Sequence, residues 1–359
     1  MKMKQSNHVG VKILNSVLPV LLAFLVGAVI IIAIGENPIS TYSVMIKKSL
    51  FDMKGITRTL QLAAPLLLAG IATAICFKAN IFNMGVEGQI VFGGFMAGIA
   101  GNMLVGMNPL AHKLVCFGVG ILCAVAFAII PALLRAYFHV DEMVVTLVLN
   151  YAMAKVLEYL ASVVFRDAGA GYVATAPIQD SARLYLIGTT KATTFVVISF
   201  VVFLVASFIM NKTKLGYTIT AMGKNPAFAE ATGLRTRRTV IVLMVLSGVL
   251  AGIAGAGYMM SEKTFYTLDF SGSPGLGWDG MLIALLGRHS PAGIFVAAIF
   301  YSALKTGAEK IGLYTSVPNE IVAVIQSLII LFLAIQFFNE RYNLLARFRE
   351  KRAAKTEVK

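Results

Sequence analysis

The sequence predicts an all-α, polytopic membrane protein with about ten transmembrane helices in two inverted five-helix halves. Of its 359 residues 58% are apolar and only 13% charged, with a mean hydropathy of +0.81. Soluble domains carry roughly 25% charged residues, so this chain has too little polar surface to cover a water-soluble particle of its size. Its apolar residues gather in separate runs, several near the ~20 needed to cross a bilayer. Lys and Arg, in excess by 14, sit in short runs between those stretches. That pattern sets topology and meets anionic lipid, and it excludes a nucleic-acid binder.

The first apolar run, 17–34, follows Lys2, Lys4 and Lys12 and leads into Gly35-Glu36-Asn37-Pro38. A signal peptide has an apolar core of about 7–15 residues and a small-x-small cleavage site. This run is longer and lacks the site, so it reads as a spanning helix that is kept. Further spans are expected at 59–77, 90–107, 114–134, 143–165, 192–210, 239–260 and 321–338. The stretch 275–306 is interrupted by Arg288-His289-Ser290-Pro291. It divides into one helix ending near Gly287 and another opening at Pro291, since proline suits a first helical position.

Ten spans put both termini on one side. With the termini inside, 19 of the 31 Lys and Arg fall on inner segments and 11 on outer ones, with Lys155 inside a span. The bias places both termini in the cytoplasm, despite four basic residues in the outer loop 36–58. Lys155 and Glu158 stand at i and i+3 and neutralise each other. Gly94/Gly98 and Gly248/Gly252 follow the small-xxx-small rule for close helix packing. Cys76, Cys116 and Cys123 lie within apolar runs as small buried hydrophobes, and neither they nor the four histidines have metal-site spacing.

Two distant segments share a pattern. Residues 84–90 read Met-Gly-Val-Glu-Gly-Gln-Ile, and 276–282 read Leu-Gly-Trp-Asp-Gly-Met-Leu. Each precedes a spanning helix, the third and the eighth. An odd number of spans separates them, so the copies enter the membrane from opposite sides. That is the mark of an inverted repeat whose site lies near the midplane. Asn83, Glu87 and Gln89 at the first copy and Trp278 and Asp279 at the second are candidate substrate-path residues, because polar groups at membrane depth are costly. Glu87 and Asp279 serve equally well as helix caps. Asn150, within the fifth span, suits either substrate contact or helix-to-helix bonding.

Two nucleotide motifs are absent. Gly275-x-Gly277-x-x-Gly280 imitates a dinucleotide fingerprint without the required strand or βαβ unit, and no phosphate-binding GxxxxGK[ST] loop exists. ATP use would fall to another chain.

The inner loop 211–238 is expected to be ordered. Asn225 is a good N-cap, Pro226 suits the first helical position, residues 227–232 can make about two turns, and Gly233 closes them. Phe228 gives this short helix an aromatic for a partner's groove, and Arg235, Arg237 and Arg238 follow at headgroup level.

Ile81-Phe82-Asn83-Met84-Gly85-Val86-Glu87-Gly88-Gln89 resembles the signature of ABC importer permeases of the branched-chain amino acid, simple sugar and nucleoside superfamily, closest to the nucleoside (guanosine-type) branch. The resemblance covers about 59–338. Val140-Asp141-Glu142-Met143-Val144-Val145-Thr146 through Asn150-Tyr151 is similar to the fifth-helix segment, 216–235 to the coupling segment, and Gly275–Gly287 and Val317-Pro318-Asn319-Glu320 to later motifs. Asp141 replaces a customary His, and Arg288-His289 stands where a Gly-Asn-like pair is common. Both departures bear on substrate choice.

The resemblance implies a transport subunit, not an enzyme, with ATP and Mg bound by a partner. That partner would carry two fused ATPase domains, beside a second related permease chain and an extracytoplasmic substrate-binding lipoprotein. Residues 1–338 would form the permease domain, with halves 1–165 and 192–338, and 339–359 a basic cytoplasmic tail. Gly223, Asn225, Pro226, Phe228, Glu230 and Gly233 would couple it to ATP hydrolysis. The rival classes are a sugar permease of the same kind and a proton-coupled secondary transporter, which would need no docking helix.

Overall fold

The computed structural model describes residues 21–22, 24–268, 274–315 and 317–318, together with 324, 327, 328 and 331. The tail 339–359, and the expected span 321–338 apart from those four positions, lie outside the described residues. So do Asn319 and Glu320, and the first four residues of the run 17–34.

The described chain is helical: α1 (Phe24–Ala33), α2 (Pro38–Ile46), α3 (Met53–Lys78), α4 (Val86–Met103), α5 (Pro109–Phe138), α6 (Glu142–Tyr159), α7 (Thr194–Lys212), α8 (Lys214–Lys224), α9 (Pro226–Ala231), α10 (Thr236–Tyr258), α11 (Leu276–Leu286) and α12 (Pro291–Tyr314). Single π-helical turns extend α2, α6 and α10. Among the described residues six helices are long and apolar enough to cross a membrane: α3, α5, α7, α12, and α6 and α10 with their π turns. α4 is an 18-residue helix carrying Glu87, Gln89 and Asn102, and α11 has only 11 residues.

The chain divides into two compact units, residues 60–302 and residues 1–59 with 303–359. In the smaller one, Ile31, Met45, Leu304, Ile311 and Val317 form a buried cluster, and Arg58 pairs with Glu309 at 3.0 Å.

The unit 60–302 holds every candidate residue. Its centre is the trio α4, α5 and α10, whose backbones approach closely because glycines face one another. A Cβ on Gly252 would lie 2.7 Å from the Ile121 Cα, and one on Gly93 2.7 Å from the Gly120 carbonyl oxygen. Without a hydrophobic drive between helices in lipid, such close contact is what holds spans together. Gly248 faces Ala128 on α5, Gly98 faces Met259, and Gly255 meets Gly94.

Caps set the ends. The side chains of Asn108, Asp141, Thr193, Thr213 and Asn225 each accept a backbone N–H at the start of α5, α6, α7, α8 and α9. Outside α6, segment 166–193 is pinned to neighbouring helices. Asn102 Nδ2 donates to the Pro177 carbonyl (2.8 Å), and the Gln61 amide oxygen accepts from both Thr193 N and Oγ1 (2.9 and 3.1 Å).

Several boundaries differ from those the sequence implies. The loop 36–58 contains α2, started by the Asn37 cap and Pro38. α4 opens at Val86 instead of 90, because Glu87 and Gln89 are held inside the protein and carry the helix through polar residues. α10 opens at Thr236, three residues before its apolar run. The break after α11 falls where expected: Gly287 closes it, Arg288 and His289 take left-handed φ of 52° and 54°, and α12 restarts at Pro291.

Candidate functional site

The second copy of the shared pattern lies within α11, and the first opens α4 from Val86 onward, with Met84 and Gly85 ahead of it. Between Lys78 and α4 the chain turns through Asn80, at left-handed φ of 62°, and residues 81–85 then run along one face of α6. Glu142, Thr146 and Asn150 are spaced i, i+4, i+8, so they share that face. The Glu142 carboxylate accepts Phe82 N (3.0 Å), and Thr146 Oγ1 accepts Met84 N (3.1 Å). Asn150 Oδ1 accepts Gly88 N (3.0 Å), while its Nδ2 donates to the Met84 carbonyl (2.8 Å). Glu142 is 5% exposed and pairs with Arg135 at 3.0 Å.

Both ends of the Asn150 amide are thereby engaged in bonds between α6 and the segment leading into α4. Glu142 and Thr146 were not singled out from the sequence as site residues. Their four-residue spacing ahead of Asn150 was the available signal. Asp141 caps α6 by accepting Met143 N at 2.8 Å.

The two copies meet directly. Glu87, in the first turn of α4, turns its carboxylate onto the start of α11, where Oε1 accepts Gly275 N (3.0 Å) and Oε2 accepts Gly277 N. Glu87 therefore caps the other copy's helix, not its own. Anionic groups are favoured at a helix N-terminus, and this carboxylate is only 3% exposed. Gly277 has to be glycine, because a Cβ there would stand 2.4 Å from the Glu87 nitrogen. Gly275 supplies the left-handed turn into α11 at φ 75°.

Asp279 accepts the Tyr301 hydroxyl at 2.5 Å, which ties α11 to α12. Trp278 is half-buried in the same first turn. Asn83 is engaged at both ends, donating to Ser247 Oγ (3.0 Å) and accepting Gly85 N (2.9 Å). Gln89 differs from all of these. It is fully buried, and among the described residues neither its amide nitrogen nor its oxygen has a hydrogen-bond partner.

Residues 211–238 contain two helices where one was expected. α8 is strongly amphipathic and buries Gly216, Ile219 and Met222. α9 is the expected short helix: Asn225 Oδ1 accepts Phe228 N (3.0 Å), and Gly233 sits left-handed at φ 85°. Gly233 N donates to the Glu230 carbonyl and Leu234 N to that of Ala229, the paired bonds of a Schellman C-cap. Phe228 is 65% exposed, and Glu230 and Pro226 are exposed too. Gly223 is exposed as well, and its backbone lies against the carbonyl of Lys78 at the end of α3. Among the described residues no cluster of three His, Cys, Asp or Glu side chains is placed to hold a metal.

Residues 55–334 match the family model described as branched-chain amino acid transport system / permease component. The chain belongs to this family. As a permease with several apolar helices it is an integral, multi-pass membrane protein, the membrane component of an ABC transporter. Among its relatives is the nucleoside ABC transporter permease protein NupB of Lactococcus lactis subsp. cremoris, 31% identical, with 92% of each chain covered. The glucose ABC transporter permease protein TsgB13 of Haloferax volcanii is 30% identical over 91% of this permease and 88% of its own length. The guanosine ABC transporter permease protein NupP of Bacillus subtilis is 29% identical, covering 90% and 94%. No solved structure matches the permease.

Proposed function

We propose that this permease imports nucleosides, using ATP hydrolysed on a partner subunit. In this reading ten spans form two inverted halves, 1–165 and 192–338, with both termini and the tail 339–359 in the cytoplasm. The loop 211–238 is the coupling segment, and α9 docks on an ABC ATPase that carries ATP and Mg in two fused domains. A second homologous permease completes the pathway, and an extracytoplasmic lipoprotein delivers substrate.

The observation that carries the reading is the Glu87 bridge from α4 to the first turn of α11, with the unpartnered Gln89 amide two residues away. Nucleosides present hydrogen-bonding base edges and a ring face. A free amide and Trp278 answer those two needs on the two joined segments. The names of NupB and NupP favour the same solute class.

The test is uptake of labelled guanosine by cells carrying the full transporter, with unlabelled nucleosides and glucose as competitors. Competition by nucleosides alone is expected. Competition by glucose alone would establish the second reading, a sugar permease, which the likeness to TsgB13 favours. Uptake by this chain alone, driven by a proton gradient, would reject both. Cysteine labelling from outside should reach 166–190 and never 212–237.

A further inference from the structure

Beside the docking helix lies a cleft of about 610 Å³, which shares only Glu230 with the coupling residues. Glu230 and Leu234 from α9 and its C-cap form one side of it. Tyr137, near the end of α5, and the start of α10 form the rest: Arg235, Thr236, Arg237, Arg238, Ile241 and Val242. All three arginines are exposed, and none of their guanidinium groups has an ion-pair or hydrogen-bond partner among the described residues. With Glu230 counted, the cleft carries two net positive charges.

From Arg235 to Val242 α10 advances about 10 Å, at about 1.5 Å per residue. The polar layer of one leaflet is only about 6 Å deep, so with Arg235 at the headgroup surface and α10 along the membrane normal, Ile241 and Val242 reach the level of the acyl chains. Its mouth is cationic and its inner wall aliphatic. We propose that it binds the phosphate headgroup of an anionic phospholipid of the inner leaflet, with the first acyl carbons lying along Ile241 and Val242. The arginines match a phosphate in planar, bidentate fashion. The aliphatic wall of Ile241 and Val242 beside the arginines suits a phosphate that carries an acyl chain better than free phosphate.

The lipid would touch the docking helix through Glu230 and Leu234, so leaflet composition would bear on coupling. The inference rests on placing 211–238 at the cytoplasmic membrane surface and is independent of the transported solute.

The full-length chain in phosphatidylcholine–phosphatidylglycerol vesicles, with a photoreactive acyl chain on one lipid or the other, tests it. Mass spectrometry of the labelled peptides reads the outcome, so no transport is involved. Phosphatidylglycerol should label Tyr137, Ile241 and Val242 roughly tenfold more than phosphatidylcholine does, given the strength of basic-residue attraction to anionic lipid. Arg235→Gln/Arg237→Gln/Arg238→Gln should bring the two lipids to parity. If that variant fails to fold, wild type in about 1 M salt replaces it, where screening falls to about 3 Å and parity is again expected. Equal labelling by both lipids in wild type overturns the proposal. So does displacement of the label by inorganic phosphate alone, which would leave a plain anion site. Labelling indifferent to lipid charge but abolished by bound ATPase subunit would assign the arginines to the ATPase.

Discussion

Gly223 lies against the carbonyl of Lys78 so closely that a Cβ at this position would stand 1.9 Å from the oxygen. Lys78 is the last residue of α3, and the segment it feeds runs through Asn83 to Glu87. The segment 211–238 is therefore braced against the helix end from which the first shared motif departs. In the proposed function, a push delivered to α9 would have a short route, through α8 and the Gly223–Lys78 contact, to the Glu87 bridge.

Gly223→Ala should break that brace. Overpacking of this kind costs about 1–3 kcal/mol, and a backbone carbonyl has little room to yield. The detergent-solubilised complex should melt at a lower temperature, and its substrate-stimulated ATP hydrolysis should fall. Gly118→Ala is the control, since a Cβ there meets nothing within 4 Å. Equal behaviour of the two variants would remove Gly223 from the coupling route.

Gly233→Val isolates the C-cap of α9. No atom lies within 4 Å of a Cβ at this position, so the substitution meets only the cost of a left-handed φ, about 1–2 kcal/mol and more for a β-branched residue. Membrane insertion should be unchanged while ATP hydrolysis in the assembled complex loses its response to substrate. Gly233→Asn, which tolerates that φ, should retain most of it. A normal response in Gly233→Val would count against docking by α9.

The long apolar helices, the α11–α12 break and the capped α9 were legible because each has a local cause: an apolar run, a Pro at N1, an Asx cap, a Gly at φ above zero. α8 was not legible because its pattern, opening Lys-Leu-Gly-Tyr-Thr-Ile, is interrupted by Gly216 and Gly223 and carries none of the Asn-Pro…Gly punctuation that marks α9. The partner of Glu87 was hidden for a different reason. A carboxylate in a first helical turn points by default to its own N-terminus, and only the fold brings Gly275 and Gly277 to it across almost 190 residues. The role of Asn150 was open in the sequence for the same reason: its two partners, Gly88 and Met84, lie on another element.

Gln89→Leu separates a structural amide from a reading one. A buried amide without partners destabilises by roughly 1–3 kcal/mol, so an apolar replacement of similar length should leave melting unchanged or raise it. If the amide meets a base edge when the pathway opens, uptake should nevertheless fall severalfold at matched membrane level. Unchanged uptake with raised stability would show that Gln89 takes no part in recognition.

Trp278 offers the ring face that the reading requires, from the half-buried first turn of α11 beside the Glu87 bridge. Stacking on a base is worth about 1–3 kcal/mol by alanine substitution in single-stranded nucleic-acid binders, the nearest scale. A transport site has to release what it binds, so its value belongs low in that range. Trp278→Ala should therefore weaken nucleoside uptake up to about tenfold, with Trp278→Phe keeping most of it. An interfacial anchor behaves differently, since aromatic residues near span ends stabilise the protein in the bilayer whatever is carried. Loss of anchoring lowers the amount of permease in the membrane and reduces all uptake in proportion. Loss of stacking leaves that amount unchanged and raises the nucleoside concentration needed for half-maximal uptake. Membrane level by immunoblot and concentration dependence of guanosine uptake, measured on the same cells, distinguish the two. Equal uptake by wild type and Trp278→Ala at matched level would end the stacking role.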